Sequence, residues 1–380
     1  MFPSLTTPIY PVSGKLLSIG DLLSCFIDPA HQLRGMSRYS DLHLKVGEAA
    51  TFRYDGDLQP IPGGLSLTQD MVEALVTPLL RENHLAQIKT EQFPDLDVSW
   101  EWAEKEITFR LNVFTDRDGL AVVIRALPAH IPTLQEIGFP DPDVWKDITS
   151  LRQGLVLLTG NTGSGKSTTI AAIANHINQN RRVRVITLED PVEYIFRSDT
   201  ALFSQRELGR HIPSFSAGLR SALREDPDII FVGEMRDHET VALALTAAET
   251  GHLVFSTLHT RDTRGTITRI IDMFPGERAK EVAVQLSMSL AYIICQKLVR
   301  NKTGGRTVAM EVLKNTPSMG NLIRSGGIHQ ITTQLETRSK EGMISLEGHL
   351  KMLVQAGTIT PTEAMENAND PSALRLLLTH

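Results

Sequence analysis

Cysteine is nearly absent: the chain holds two, Cys25 and Cys295, far apart and outside any Cys-x-x-Cys spacing. Neither a disulfide framework nor a four-cysteine zinc module can be built from them. Aromatic residues are sparse at 6%, and none form a stripe interleaved with basic residues of the kind that stacks single-stranded nucleic acid. Positive charge is not in excess. With 38 Lys and Arg against 44 Asp and Glu, the formal charge is −6, so nucleic acid is not expected as a partner, although a local groove could still be basic. No apolar run approaches the roughly 20 residues that cross a bilayer. The opening MFPSLTTPIYPVSGK has no basic residue before Lys15 and no apolar core of the signal-peptide kind, which leads to the expectation of a cytoplasmic protein. No segment repeats with a period of about 20–50 residues, which excludes solenoids and propellers.

What is present is ordinary globular material: 380 residues, 41% hydrophobic and 22% charged, enough for two packed units. Residues 1–35 are weakly patterned and read as a loosely attached arm with one short helix around Ile19–Ile27. Over 36–130 the runs DLHLKV, TFRYDGDLQPI, DVSWEW, ITFRLNVF and GLAVVIRAL have strand character, and Asp55-Gly56 is a hairpin signal. Helical spacing of Met71, Leu75, Leu79 and Leu80 predicts a helix within Leu67–Ile88. This first unit is therefore α+β. Pro128, Pro132, Pro140 and Pro142 mark a linker over 131–144.

From 145 to 365 the texture is α/β. GLVLLT, VRVITL, IIFV and HLVFST are short continuous apolar runs, as in strands buried on both faces, and helical segments separate them. That alternation predicts a parallel sheet with ligands at the carboxyl ends of its strands. From about Pro275 to Met352 the chain reads as mostly helical, with QLSMSLAYIICQKLV as its clearest amphipathic stretch. Residues 366–380 read as a C-terminal tail.

The sharpest feature is Gly160-Asn161-Thr162-Gly163-Ser164-Gly165-Lys166-Ser167, followed by Thr168: a full G-x-x-x-x-G-K-[ST] match between a strand and a helix. Glycines let backbone N–H groups converge into an anion nest, and the helix N-terminus adds to the field. Lys166 is assigned to the β- and γ-phosphates of ATP and Ser167 to Mg²⁺, which prefers hard oxygen ligands. The strand VRVITL runs into Glu189, Asp190 and Glu193, carboxylates suited to Mg²⁺ or a water on it, or equally to an acidic turn begun by Asp-Pro. A second strand, IIFV, ends in Gly233-Glu234. With glycine at the usual Walker B aspartate position, Glu234 is left to orient or deprotonate the attacking water, the alternative being a glutamate at the start of the next helix. His252 and His259 bracket the strand LVFSTL, either of them structural or sensing the γ-phosphate or a neighbouring subunit.

Together GNTGSGKSTT, ITLEDPVEY, SALREDPDIIFVGEMRD and AAETGHLVFSTLHT, with SDLHL and YDGDLQPI upstream, resemble the secretion-superfamily hexameric ATPases, and among them the PilT-type retraction ATPases of type IV pili. The resemblance spans about residues 36–360. It implies a PAS-like first domain, a RecA-like P-loop ATPase domain, and a homohexamer that turns ATP hydrolysis into work on an inner-membrane pilus platform protein, driving twitching motility. The motor would be cytoplasmic and held at the inner membrane through that machinery, with related pilus ATPases as further partners. Position by position, the resemblance puts Lys166 and Ser167 in the Walker A box, Glu193 as the essential glutamate of the aspartate box, Glu234 as the catalytic Walker B glutamate and His252 and His259 in the histidine box. It makes Arg110 and Arg125 nucleotide-contacting arginines of the first domain, where the residues alone suggest exposed strand positions. Two departures stand out. The family's AIRNLIR segment is Ser318-Met319-Gly320-Asn321-Leu322-Ile323-Arg324, altered in its first half, and Gly320 suggests a looser helix there. The four-cysteine zinc insertion of the extension and type II secretion branches is missing. A secretion-system ATPase and a nucleotide-gated accessory assembly factor are the alternative functions.

Overall fold

The structure is a computed structural model that describes residues 3–33, 36–90, 95–105, 107–127, 131–337 and 341–379. The chain divides into two compact units, meeting at residues 130 and 131.

In the first unit, alternation of apolar and polar residues builds a six-stranded antiparallel sheet in the spatial order Asp57–Pro60, Thr51–Tyr54, Tyr39–Lys45, Gly119–Ala126, Ile107–Asp116, Asp95–Trp102. Ile107, Phe109, Leu111 and Val113 face the core while Thr108, Arg110 and Asn112 face the other side, the period of two expected of a half-covered sheet. Asp55 and Gly56 both take positive φ, 51° and 97°, and close the expected two-residue hairpin. The helix expected within 67–88 is two helices, Gln69–Val76 and Glu82–Thr90, with a 3₁₀ turn between them at Thr77–Leu79. Pro78 accounts for the break, because its ring removes a backbone donor and clashes with the preceding turn.

The expectation of a loose arm over 1–35 is corrected. A small hairpin, Tyr10–Val12 with Lys15–Leu17, leads into a helix at Ile19–Ser24 whose Ser18 and Asp21 form a reciprocal capping box. Tyr10, Ile19, Leu22, Leu23 and Phe26 are fully buried in the core of this unit, and the Tyr10 hydroxyl accepts the Ala50 N–H at 3.0 Å. One short amphipathic turn carries too few residues for its period to stand out in the sequence, yet it buries four apolar side chains at i, i+3, i+4 and i+7.

The second unit holds a seven-stranded sheet in the order Leu202–Glu207, Arg184–Glu189, Ile229–Val232, Leu253–Leu258, Gly154–Thr159, Leu290–Arg300, Arg306–Lys314, parallel except for the last pair. Apolar clusters cover both faces, which is why its central strands are continuously hydrophobic. Three expectations fail here. The segment 131–144 is not a bare linker: Leu134–Ile137 and Pro142–Ser150 are helices capped by Thr133 and Asp141, and Leu134, Phe139 and Val144 are buried; Pro128 lies outside the described residues. QLSMSLAYIICQKLV is not one helix, since the helix Glu277–Ser289 gives way at Leu290 to an eleven-residue strand. An apolar run of that length fits either state, and a buried slot beside Gly154–Thr159 selects the strand. Residues 366–380 are not a free tail, because the helix Pro371–Thr379 buries Leu374 among Leu346, Leu350 and Ile359.

Gly320 also differs from expectation. The helix Pro317–Ser325 is intact, capped by Thr316 with Pro317 in its first turn, and a Cβ on Gly320 would lie 3.0 Å from the Ser287 carbonyl oxygen. Glycine there allows the helix to approach Glu277–Ser289 closely.

Candidate active site

The phosphate loop joins the fully buried strand Gly154–Thr159 to the helix Lys166–Asn180. Gly160, Gly163 and Gly165 have φ of 140°, 77° and 89°, values that a side chain would strain. Gly160 is the tightest position: a Cβ would fall 2.3 Å from the Gln296 carbonyl oxygen. The helix begins at Gly165 with no side-chain cap, so its first N–H groups point outward as free donors. Lys166 is buried and its ammonium donates to the carbonyls of Gly160 at 2.8 Å and Asn161 at 3.1 Å. Burial pushes this amine below the ordinary lysine range, and the Glu234 and Glu193 carboxylates act against that shift. Ser167 is exposed in the first turn of the helix, while the Thr168 hydroxyl accepts from Tyr194 at 3.2 Å.

Every strand end that the sequence marked as acidic opens on the same, carboxyl side of the sheet, where a parallel α/β unit gathers its ligands. Glu189 is a scaffold within this edge. Burial raises its carboxyl, countered by hydrogen bonds from Thr187 at 2.5 Å, Gln205 at 3.0 Å and the Glu193 N–H. Gln205 also donates to the Tyr194 carbonyl and accepts the Phe196 N–H, so Glu189 and Gln205 shape the loop that presents Glu193. Glu193 itself is half-buried and close enough to Lys166 to influence its charge.

Glu234 follows the strand Ile229–Val232, set in place by the Gly233 N–H on Leu188 and by the Thr257 hydroxyl on the Gly233 carbonyl at 2.6 Å. Its carboxylate accepts from Arg236 Nε at 2.7 Å, and His259 Nε2 stands 3.5 Å from its other oxygen. Arg236 also reaches Asp190, at 3.7 Å. The hydrogen bond to Glu234 raises the Arg236 guanidinium further above its ordinary value. His252 is not part of this group. It lies at the amino end of Leu253–Leu258, its Nδ1 3.1 Å from the Ala247 carbonyl oxygen and its own carbonyl bonded to the Gly154 N–H. A strand of six residues separates the two histidines, roughly 20 Å.

In the first unit, Arg110 and Arg125 stand directly opposite each other on adjacent strands. Arg125 Nε donates to Asp41 at 2.7 Å and Arg110 pairs with Asp97 at 3.3 Å. Asp41 is almost completely buried, also accepts from Ser40 at 2.7 Å, and has Arg53 at 3.7 Å. A row of arginines is thus held by two carboxylates, Arg125 and Arg53 by the buried Asp41 and Arg110 by the exposed Asp97. Sequence reasoning overlooked Asp41, Arg236, Thr257 and Gln296 as parts of these clusters. Asp41, Arg236 and Thr257 each lie within a run that carries the family resemblance, SDLHL, GEMRD and HLVFSTLHT, whereas Gln296 lies in none.

Residues 35–365 match the model of the Type II/IV secretion system protein family. The chain belongs to that family, and its second unit is a RecA-like P-loop domain. More narrowly, it is 42% identical over 332 residues to the type IV pilus retraction ATPase PilT of Pseudomonas aeruginosa, covering 87% of this chain and 95% of that protein. It is 39% identical over 352 residues to a twitching motility protein of Neisseria gonorrhoeae, covering 91% and 92%. Its structure is similar to a crystal structure of the pilus retraction motor PilT with bound ADP, at a TM-score of 0.84 and 38% identity, covering 95% of this chain and 99% of that one.

Proposed function

We propose that this chain is the ATP-hydrolysing motor of type IV pilus retraction, acting as a homohexamer on an inner-membrane platform protein and producing twitching motility. The observation that carries the reading is the convergence of the phosphate loop, Lys166, Glu193, Glu234 and His259 on one edge of the sheet, in a chain that matches retraction motors over most of its length.

In this reading the loop N–H groups and Lys166 bind the phosphates, the ammonium exchanging the Gly160 and Asn161 carbonyls for phosphate oxygens. Glu234 orients the attacking water and accepts its proton, which requires the carboxylate to turn from Arg236. Arg110 and Arg125 contribute charge to the spreading negative charge of the transferred phosphoryl group. The oxygen donors of Ser167 and Glu193 suit Mg²⁺: among the described residues there is no cage of His, Cys, Asp and Glu able to hold a metal by itself, and Mg²⁺ is commonly held by one or two protein oxygens plus the phosphates. Bound there, it would neutralise charge on the β- and γ-phosphates. Among the described residues no helix is long and apolar enough to cross a membrane; in this reading the platform protein holds the motor at the inner membrane.

Gene deletion tests the direction of force. Loss of retraction leaves cells with more surface pili and no twitching, whereas a deletion strain without pili would transfer the chain to extension or secretion. Purified protein should hydrolyse ATP only with Mg²⁺, and Lys166→Ala should abolish both binding and turnover.

A further inference from the structure

Gln296 has no part in the chemistry above, yet it forms the floor of the phosphate loop. It sits on the strand Leu290–Arg300, is 2% exposed, and its Nε2 donates to the Ser164 carbonyl at 2.8 Å. Its own carbonyl oxygen lies under Gly160, and its Nε2 would stand 3.2 Å from a Cβ on Gly165. Two of the three loop glycines that a side chain would strain are therefore crowded by this one residue. Its Oε1 and the Ser164 hydroxyl are both buried without a hydrogen-bond partner. A polar side chain buried with half its capacity unused is a poor stabiliser compared with an apolar one of the same size, so its place here points to shaping the loop.

A peptide plane explains how. The Ser164 carbonyl and the Gly165 N–H belong to one trans peptide and point in opposite directions. Holding the carbonyl back against the sheet aims the N–H forward, into the space that the anion nest encloses. We propose that Gln296 is a positioning residue for nucleotide binding, its amide turning the Ser164–Gly165 peptide so that the Gly165 N–H faces the phosphates. This rests on nucleotide binding at the loop. The phosphates nearest the loop are present in ADP as well as ATP, so the effect belongs to binding of both nucleotides and leaves the hydrolytic step largely untouched.

The test measures ADP affinity of the full-length protein by calorimetry at pH 8.5 and pH 6, with ATP turnover alongside. Gln296→Glu keeps the shape but, ionised, sets an acceptor against the Ser164 carbonyl. Relative to wild type it should lose about tenfold or more in ADP affinity at pH 8.5. It should recover most of that loss at pH 6, because a buried carboxyl beside a carbonyl oxygen takes up a proton readily and can then donate as the amide does. Gln296→Met, which cannot donate at any pH, should show the same loss at both pH values, with kcat at saturating ATP within about threefold of wild type. A merely structural residue would lower the melting temperature without that pH recovery. ADP affinity within twofold of wild type for both variants, or a Gln296→Glu deficit that is identical at pH 8.5 and pH 6, would overturn the proposal. Wild-type protein that binds no ADP would defeat the nucleotide reading itself.

Discussion

Acidification should destabilise the second unit through one residue, His349. It lies on the helix Leu346–Gln355, 3% exposed, and its Nδ1 accepts the Met310 N–H at 2.9 Å from the strand Arg306–Lys314. Burial dominates, and the ring is pushed down from 6.5 to about 4, the Met310 hydrogen bond acting in the opposite direction. A group whose folded pKa is depressed binds fewer protons folded than unfolded, so its contribution is complete above the unfolded value and is lost as pH falls through the folded one. Between those two values each pH step of one costs about 1.36 kcal/mol, which gives a loss of about 2 kcal/mol at pH 5 and about 3 kcal/mol at pH 4, where the folded ring is itself half protonated, with a ceiling of about 3.4 kcal/mol below that. His349→Gln keeps an acceptor for the Met310 N–H but does not titrate there. Urea unfolding of both proteins at pH 7 and pH 5, followed by far-UV circular dichroism, isolates the effect, because all other titrations cancel in the difference. Wild type should lose about 2 kcal/mol more than the variant between the two pH values. Equal losses would mean that His349 is already protonated in the folded protein, or that its ring is open to water.

Gly160→Ala should cost ADP affinity at least about 100-fold by equilibrium dialysis, since a Cβ 2.3 Å from the Gln296 carbonyl must displace the loop in addition to straining φ by about 1–3 kcal/mol; a change under tenfold would refute this. Glu234→Gln should bind ATP nearly normally and turn over at least ~10²-fold slower, read as phosphate release beside a binding assay with a labelled analogue, and full activity would remove Glu234 from the mechanism. Asp41→Asn should lower unfolding free energy by about 1–3 kcal/mol by weakening the charge-assisted hydrogen bond to Arg125 and the pairing with Arg53, and should lower kcat more than ATP binding; unchanged kcat would separate the arginine row from turnover. Arg324→Ala removes an exposed charge and should leave the melting temperature and ATPase rate near wild type while abolishing twitching. Normal twitching would show that this helix carries no force.

Much of the fold could be read from continuous apolar strands alternating with helices, because a sheet covered on both faces leaves that imprint directly on the chain. The phosphate loop was equally plain, since each of its residue types answers a local backbone or charge requirement. Legibility failed where neighbours distant in sequence decide. Leu290–Arg300 looks helical until Gly154–Thr159 and Arg306–Lys314 flank it. The first 35 residues look loose until Tyr10 and Phe26 have a core to enter. His252 and His259 look equivalent on paper, and only the direction of their strand puts one beside Glu234 and the other at the opposite end. Gln296 carries no motif at all, and Arg236 sits in the GEMRD run without a role of its own; what they touch gives them meaning.

The strand that carries Gln296 continues through a single hairpin into Arg306–Lys314, paired with it over nine positions from Tyr292–Lys314 to Arg300–Arg306. Only Asn315 and Thr316 then separate that ladder from the helix Pro317–Ser325, which carries Arg324 in its last turn. Both joints are pinned, Asn315 by hydrogen bonds to the Ser287 and Leu290 carbonyls at 3.0 and 2.9 Å and the helix by the close seat of Gly320 on Ser287. In mechanical terms the nucleotide's floor and the exposed Asn321 and Arg324 are joined in series by a paired ladder and two hydrogen-bonded joints. If a displacement of the floor travels along this series, softening either joint, for instance by Asn315→Gly, should uncouple ATP consumption from pilus movement while leaving hydrolysis itself running.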